Sequence, residues 1–375
     1  MAAILEKQRL RDFDWVLTLL ALAISAFGTW MIFNAQPDAP FWKKQVVGIA
    51  VSLALMLVVA FTDYRKLVHI APAFYVFGLV LLVVVLVPGI GLKINGQRCW
   101  IGVPGLGQFQ PSEFMKIPTV LMLARYFGRP RSSALTIKEV IVGGGILALP
   151  VGLIMLEPDA GQSLTYFPLL AVVLFLSSVR MWLVVAALVL GTASVPAMWY
   201  VGTHTGLIKP YQQERINVIL DPENADRRGF GYHTWQSIVT VGKGGVTGSV
   251  AKKDEGSSQS KLKFLPEPHT DFIFAVTAEN TGFIGCVLLL LAYAVLLTKL
   301  IYGARRAPDR TGMLVIMAIV GGLAFQIFIN VGMALGMLPV IGVPLPLMSA
   351  GISAILSTFV AIGFAVSIRL RRFVN

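Results

Sequence analysis

Charge is scarce in this chain. Only 13% of its 375 residues are Asp, Glu, Lys or Arg, against 56% hydrophobic, too apolar a balance for a water-soluble protein of this length. Cysteine is nearly missing too. Cys99 and Cys286 stand in unrelated contexts, which argues for two structural thiols and against a disulfide framework. The four histidines show no metal-ligand spacing. The apolar stretches lack strict apolar–polar alternation, which excludes a transmembrane β-barrel. No interleaving of aromatic with basic residues accompanies the net charge of +12, so nucleic acid is not an expected partner. No cleaved leader is expected, because the basic Lys7–Asp14 segment precedes an apolar run long enough to stay in a membrane.

What the chain has instead is apolar runs of bilayer-spanning length, about 20 residues each. They predict an all-α polytopic membrane protein with about ten spans, near 15–33, 43–62, 70–88, 111–127, 138–156, 162–178, 181–201, 272–301, 312–336 and 348–368. Residues 1–375 then form a single membrane domain whose one long polar loop, 202–271, joins the seventh and eighth helices. Basic residues settle the orientation. Lys7, Arg9 and Arg11, then Arg65 and Lys66, Arg125, Arg129, Arg131 and Lys138, Arg180, Arg305, Arg306 and Arg310, and finally Arg369, Arg371 and Arg372 all fall on one side. The alternate short loops hold only Lys43, Lys44, Lys93 and Arg98. Both termini are therefore expected in the cytoplasm, with the glycine-rich 89–110 loop, the 157–161 turn and the long loop outside.

Asp271 ends the polar stretch Phe264-Leu-Pro-Glu-Pro-His-Thr-Asp, directly before an apolar run that starts at Phe272. A carboxylate at the membrane line is costly enough that function is its default reading. His269, two residues earlier, is placed to orient or tune it. Gln110-Pro-Ser-Glu113-Phe-Met-Lys116 opens the fourth span, where Pro and Glu both suit a first helical turn. Glu113 and Lys116 share a face. They are either a self-neutralising cap pair or, since a lysine inside an apolar run normally lines a polar cavity, a phosphate-binding cation and its positioner. Asp159, in Glu157-Pro-Asp-Ala-Gly161, reads on its own as a solvated loop acid. Lys243, among Gly242, Gly244 and Gly245, fits an anion-binding nest or a flexible surface turn equally well. Trp235–Val241 reads as a short interfacial helix.

One carboxylate at the membrane line, cations at Arg98, Lys116, Arg215 and Lys243, and glycine-rich loops suit a substrate with a lipid tail, a diphosphate and a polar head. Asp271 would be a general base for inverting transfer to an acceptor hydroxyl, its basicity raised by partial burial. Cations or a divalent metal would stabilise the diphosphate leaving group. A flippase for the same lipid-linked precursor would need similar cations but also an inward-facing acceptance site, and the inward loops are short and basic. A scaffold that only recruits another enzyme would tolerate polar changes at Asp271, Glu113 and Lys116.

Phe264–Asp271 with Phe272-Ile-Phe-Ala and Glu279-Asn-Thr-Gly-Phe-Ile-Gly285 resembles the signature of the SEDS family (shape, elongation, division, sporulation). Gln110-Pro-Ser-Glu113, Glu157-Pro-Asp159-Ala-Gly161, Gly231-Tyr-His-Thr-Trp-Gln236-Ser237, Gly242-Lys-Gly-Gly245 and Gly342-Val-Pro-Leu-Pro346-Leu match as well, in order and over nearly the whole chain. The resemblance implies a ten-helix peptidoglycan glycosyltransferase that polymerises lipid II on the outer face of the bacterial cytoplasmic membrane. It implies that Asp271 is the essential aspartate, that Glu113, Lys116 and Asp159 are functional, and that Gln236 and Ser237 belong to a substrate-side motif. It further implies a class B penicillin-binding protein as partner and a dependence on divalent cations, Mg²⁺ or Mn²⁺. The sequence departs from the family pattern at Met348-Ser-Ala350-Gly351-Ile-Ser353 and at Gly248-Ser249-Val250.

Overall fold

The computed structural model describes residues 13–94, 97–103, 107–129, 135–180, 182, 231–249 and 265–371. Among the described residues each apolar run winds into a helix, because in hydrocarbon a helix alone satisfies its backbone within one segment. The helices are α1 (Trp15–Ala35), α2 (Phe41–Phe61), the short α3 (Tyr64–His69) and α4 (Ala71–Leu86). After a small sheet come α5 (Pro111–Phe127), α6 (Ile137–Leu156) and α7 (Ala160–Leu176). The remaining described helices are α8 (Tyr232–Gly244), α9 (Ile273–Arg305), α10 (Arg310–Ala334) and α11 (Ile352–Leu370). Side-chain caps mark several starts. Asp14 accepts from the Leu17 amide, Asp159 from that of Gln162 and Asp309 from that of Gly312, and Thr136 with Glu139 forms a capping box.

Among the described residues six helices, α1, α2, α6, α9, α10 and α11, are long and apolar enough to cross a membrane, and α4 and α7 are shorter apolar helices. Nine of the predicted spans coincide with helices. The seventh, 181–201, lies outside the described residues apart from Trp182, and so does most of the 202–271 loop. Two features were not anticipated. Residues 89–110, read as loop, contain an antiparallel sheet in the order β1 (Gly91–Ile94), β2 (Gln97–Val103), β3 (Gly107–Phe109). Its strands are short and glycine-rich, so strand propensity signals them weakly; cross-strand pairs such as Leu92 with Trp100 form the ladder. The other is α3, a single polar turn capped by Asp63.

The apolar stretches of α10 and α11 are 67% and 72% buried, against 28% in α6 and α9, which places α10 and α11 inside the bundle. Small residues allow close approach at their contacts. At Gly363 of α11 a Cβ would stand 2.8 Å from the Met56 carbonyl oxygen of α2. α9 is broken at Gly282, whose φ of 68° and ψ of −166° suit only glycine. The Gly245–Gly248 turn docks into that break, with the Phe283 and Ile284 amides donating to the Gly245 and Val246 carbonyls. The glycines after Lys243 thus serve backbone-to-backbone packing.

Candidate active site

Asp271 stands two residues before α9, next to its cap Phe272, and the main chain that carries it is fixed by three successive hydrogen bonds. The His269 carbonyl accepts from the Ala350 amide at 2.8 Å. That of Thr270 accepts from Ser349 Oγ at 2.6 Å, and that of Asp271 from Asn330 Nδ2 at 2.9 Å. The donors are braced in turn. Ser349 Oγ accepts from the Leu345 amide at 2.8 Å, and Asn330 Nδ2 also donates to the Val343 carbonyl at 2.8 Å. From the far side Gln45 of α2 donates to the Ser349 carbonyl at 3.0 Å and accepts from the Gly351 amide at 3.3 Å. The segment that departs from the family pattern therefore supplies part of the clamp. The carboxylate itself lies beside Gly342, where an added Cβ would stand 3.5 Å from Asp271 Oδ2.

His269 forms one wall here. Its ring stacks on Phe41 with centroids 3.9 Å apart, and Nε2 lies 3.8 Å from Glu267 Oε2. Burial lowers its pKa below the ordinary value, and Glu267 opposes this.

A second polar cluster joins α5, α7 and α11. Lys116 Nζ is 2.9 Å from Glu113 Oε1, which also accepts from Gln162 Nε2 at 2.7 Å, while Glu113 Oε2 accepts from Ser357 Oγ at 3.1 Å. Glu113 is only 2% exposed and Lys116 13%, so this carboxylate is buried with every bond it needs. Asp159 is 6% exposed, which corrects its reading as a solvated loop acid. It caps α7 through the Gln162 amide at 3.0 Å and accepts from Gln110 Nε2 at 3.0 Å. Burial, above all, raises its pKa to about 6 against these lowering bonds. Glu157 is fully buried with no hydrogen-bond partner at either oxygen among the described residues, and burial and then Asp159 push its pKa up to about 8. The segment 341–353 touches both clusters. Gly342 abuts Asp271, Gly161 packs on the Ile341 carbonyl, and Ser353 Oγ accepts from the Gln110 amide at 2.9 Å.

The other expected site residues are dispersed. Arg98, on β2, donates to the Leu86 carbonyl at the end of α4 at 3.3 Å, while neighbouring Gln97 ties the sheet to the Pro158 carbonyl. Ser237 is fully buried and donates to the Ala334 carbonyl at 2.7 Å, fastening α8 to α10. Gln236 is half-buried, and its carbonyl accepts from Thr240 Oγ1. Lys243 is exposed in the last turn of α8. Arg215 lies outside the described residues. Among the described residues no cluster of three or more His, Cys, Asp or Glu side chains is placed to hold a metal. A protein-only divalent site does not fit these donors, and an ion here would need substrate oxygens to complete its shell.

Residues 13–372 match the family described as cell cycle protein, FtsW, RodA and SpoVE. The chain belongs to the SEDS family. A curated relative, peptidoglycan glycosyltransferase MrdB of Escherichia coli K12, is 35% identical over 360 residues, covering 96% of this chain and 94% of that one. Among solved structures, a chain of a peptidoglycan synthase complex, studied for its coordination of polymerization and crosslinking, matches at TM-score 0.81. It is 32% identical and covers 97% of this chain and 99% of that one. The crystal structure of rod shape determining protein RodA from Thermus thermophilus matches at TM-score 0.70 and 29% identity, over 97% of this SEDS chain and 98% of that one.

Proposed function

We infer that this SEDS protein is a peptidoglycan glycosyltransferase that polymerises lipid II during cell-wall elongation, with Asp271 as its general base. The observation that carries the inference is the clamp on residues 269–271, which holds one carboxylate in register beside Gly342 at the start of a membrane helix. Family membership and the glycosyltransferase name of the MrdB relative support the same activity. Asp271 takes the proton from the acceptor's 4-hydroxyl as its oxygen attacks the anomeric carbon, and the lipid diphosphate leaves from the opposite face. Positioning before reaction, rather than a covalent intermediate, then accounts for most of the acceleration.

Lys116 interacts with the diphosphate. An ammonium has three donors and Glu113 engages one, so the rest remain for phosphate oxygens. Glu113, itself held by Gln162 and Ser357, positions that cation, and Asp159 fixes the adjoining turn. Arg98, Arg215 and Lys243 add positive charge around the substrate, while His269, Gln236 and Ser237 shape the walls. Mg²⁺ or Mn²⁺ would arrive with the diphosphate. The chain is one membrane domain of ten spans in the bacterial cytoplasmic membrane, with both termini cytoplasmic and the site and 202–271 loop outside. A class B penicillin-binding protein, in keeping with the matched synthase complex, supplies crosslinking.

The test is lipid II polymerisation by the purified chain, with and without that partner and Mg²⁺ or Mn²⁺. Glycan strands are expected. Lipid transfer across vesicles with no strands under any condition would instead indicate a flippase.

A further inference from the structure

A second charged site lies at the opposite ends of α9 and α10 from Asp271. The end of α7 and the turn between α9 and α10 border an open surface depression of about 490 Å³, lined by Arg305, Arg310, Asp309, Ser178, Leu176 and Met313 among others. Its charge is unbalanced in favour of cations. Asp309, the one acid in the lining, is already engaged: Oδ1 caps α10 and Oδ2 meets Tyr64 and Arg65. Arg306, next to Arg305, is stacked over the Tyr302 ring at 4.1 Å. Among the described residues Arg305 and Arg310 have no carboxylate at salt-bridge distance, and the buried Nε of Arg310 has no hydrogen-bond partner. Ser177 Oγ, between the lining residues Leu176 and Ser178, is also buried and has no partner among the described residues.

We propose that Arg305 and Arg310 form a binding site for a phosphate group, of the kind carried by an anionic phospholipid headgroup. Guanidinium forks match phosphate oxygens in pairs, and a buried unpaired N–H is completed by such a ligand. The depression sits where the apolar stretches of α7 and α10 end, the depth at which headgroups lie, and basic pockets between helices at that depth bind anionic lipids. Leu176 and Met313 offer an apolar wall to the first carbons of the chains. The same helices connect the two sites. α9 runs from beside Asp271 to Arg305, and α10 from Arg310 to the Asn330 region. A bound headgroup would fix their far ends.

The experiment is native mass spectrometry of the full chain titrated with dioleoylphosphatidylglycerol, dioleoylphosphatidylcholine or inorganic phosphate. The Arg305→Gln/Arg310→Gln and Arg305→Lys/Arg310→Lys pairs are compared with wild type, and Arg129→Gln is the control. The expected result is phosphatidylglycerol binding weakened roughly tenfold or more in the glutamine pair, with phosphatidylcholine binding and the control unaffected. Arginine-dependent binding of inorganic phosphate without lipid preference keeps the phosphate site and assigns it to a soluble source. Equal binding of lipid and phosphate by wild type and a folded glutamine pair overturns the proposal. Should the glutamine pair fail to fold, the lysine pair decides. A several-fold weaker affinity from the lost fork supports the site, and unchanged affinity refutes it.

Discussion

Asn330 reaches the main-chain oxygen of Asp271 from within the bundle, and the same nitrogen holds the Val343 carbonyl, at 2.9 and 2.8 Å. One side chain in the apolar α10 thus ties the main chain of Asp271 to the loop facing it. Asn330→Leu keeps volume and removes both bonds, leaving two carbonyls unsatisfied at about 1–3 kcal/mol each. The folded variant should polymerise at least about tenfold more slowly, since a small misplacement of a reacting group is expensive. Initial rates beside a thermal melt check this, and a wild-type rate would remove the clamp from the mechanism.

Gly342→Ala probes the space in front of the carboxylate. A φ of 74° disfavours alanine by about 1 kcal/mol. The new methyl would meet Asp271 Oδ2 at ordinary contact distance, with no clash to relieve. Stability should fall by about that amount while kcat/KM falls further, because the methyl occupies ground the acceptor hydroxyl must cross. A loss of stability with intact kcat/KM would place the acceptor elsewhere.

The Glu113–Lys116 pair separates structure from chemistry. Lys116→Met strands a buried carboxylate and should cost about 3–5 kcal/mol. Glu113→Gln/Lys116→Met removes both charges and should recover much of that stability, yet stay inactive for want of a diphosphate cation. A double variant that melts like wild type and polymerises lipid II would make the pair purely structural.

How much of this could be read in advance follows from the range of each interaction. Helices were legible because an apolar run of bilayer length has few alternatives, and α5 begins and ends as expected at 111 and 127. Asp271, Glu113 and Lys116 stood out as charges at or within apolar runs. The burial of Asp159 did not, because its partner Gln110 lies 49 residues away and no local pattern announces that contact. The clamp from Asn330, Ser349 and Ala350 is equally long-range, although polar residues inside apolar spans, such as Asn330 and Ser357, were a usable signal. The glycines around Lys243 were read as nest or turn, whereas their partner is the break at Gly282, visible only once α9 and α8 are packed.

Glu157 predicts a pH dependence. Its folded pKa, about 8, lies above the ordinary 4.5, and that of Asp159, about 6, lies above 3.8. The folded state binds protons more tightly at these two groups, so their contribution to stability is greatest below about pH 4 and falls as pH rises toward 8. Glu157→Gln removes the larger part of the effect. Its unfolding free energy should gain on wild type steadily between about pH 5 and 8, by an amount on the order of a few kcal/mol at the upper end. Parallel melting curves across that range would show that Glu157 is not held neutral.

The most direct measurement is the rate of lipid II polymerisation by Asp271→Asn, purified together with the proposed penicillin-binding protein. Asparagine keeps the size of the side chain and the carbonyl bonded to Asn330 but cannot accept the hydroxyl proton. The account predicts a protein that melts like wild type, still binds lipid II, and makes glycan strands at least about a hundredfold more slowly. Strands at the wild-type rate would contradict it and move the base to another carboxylate, with Asp159 and Glu113 the first to examine.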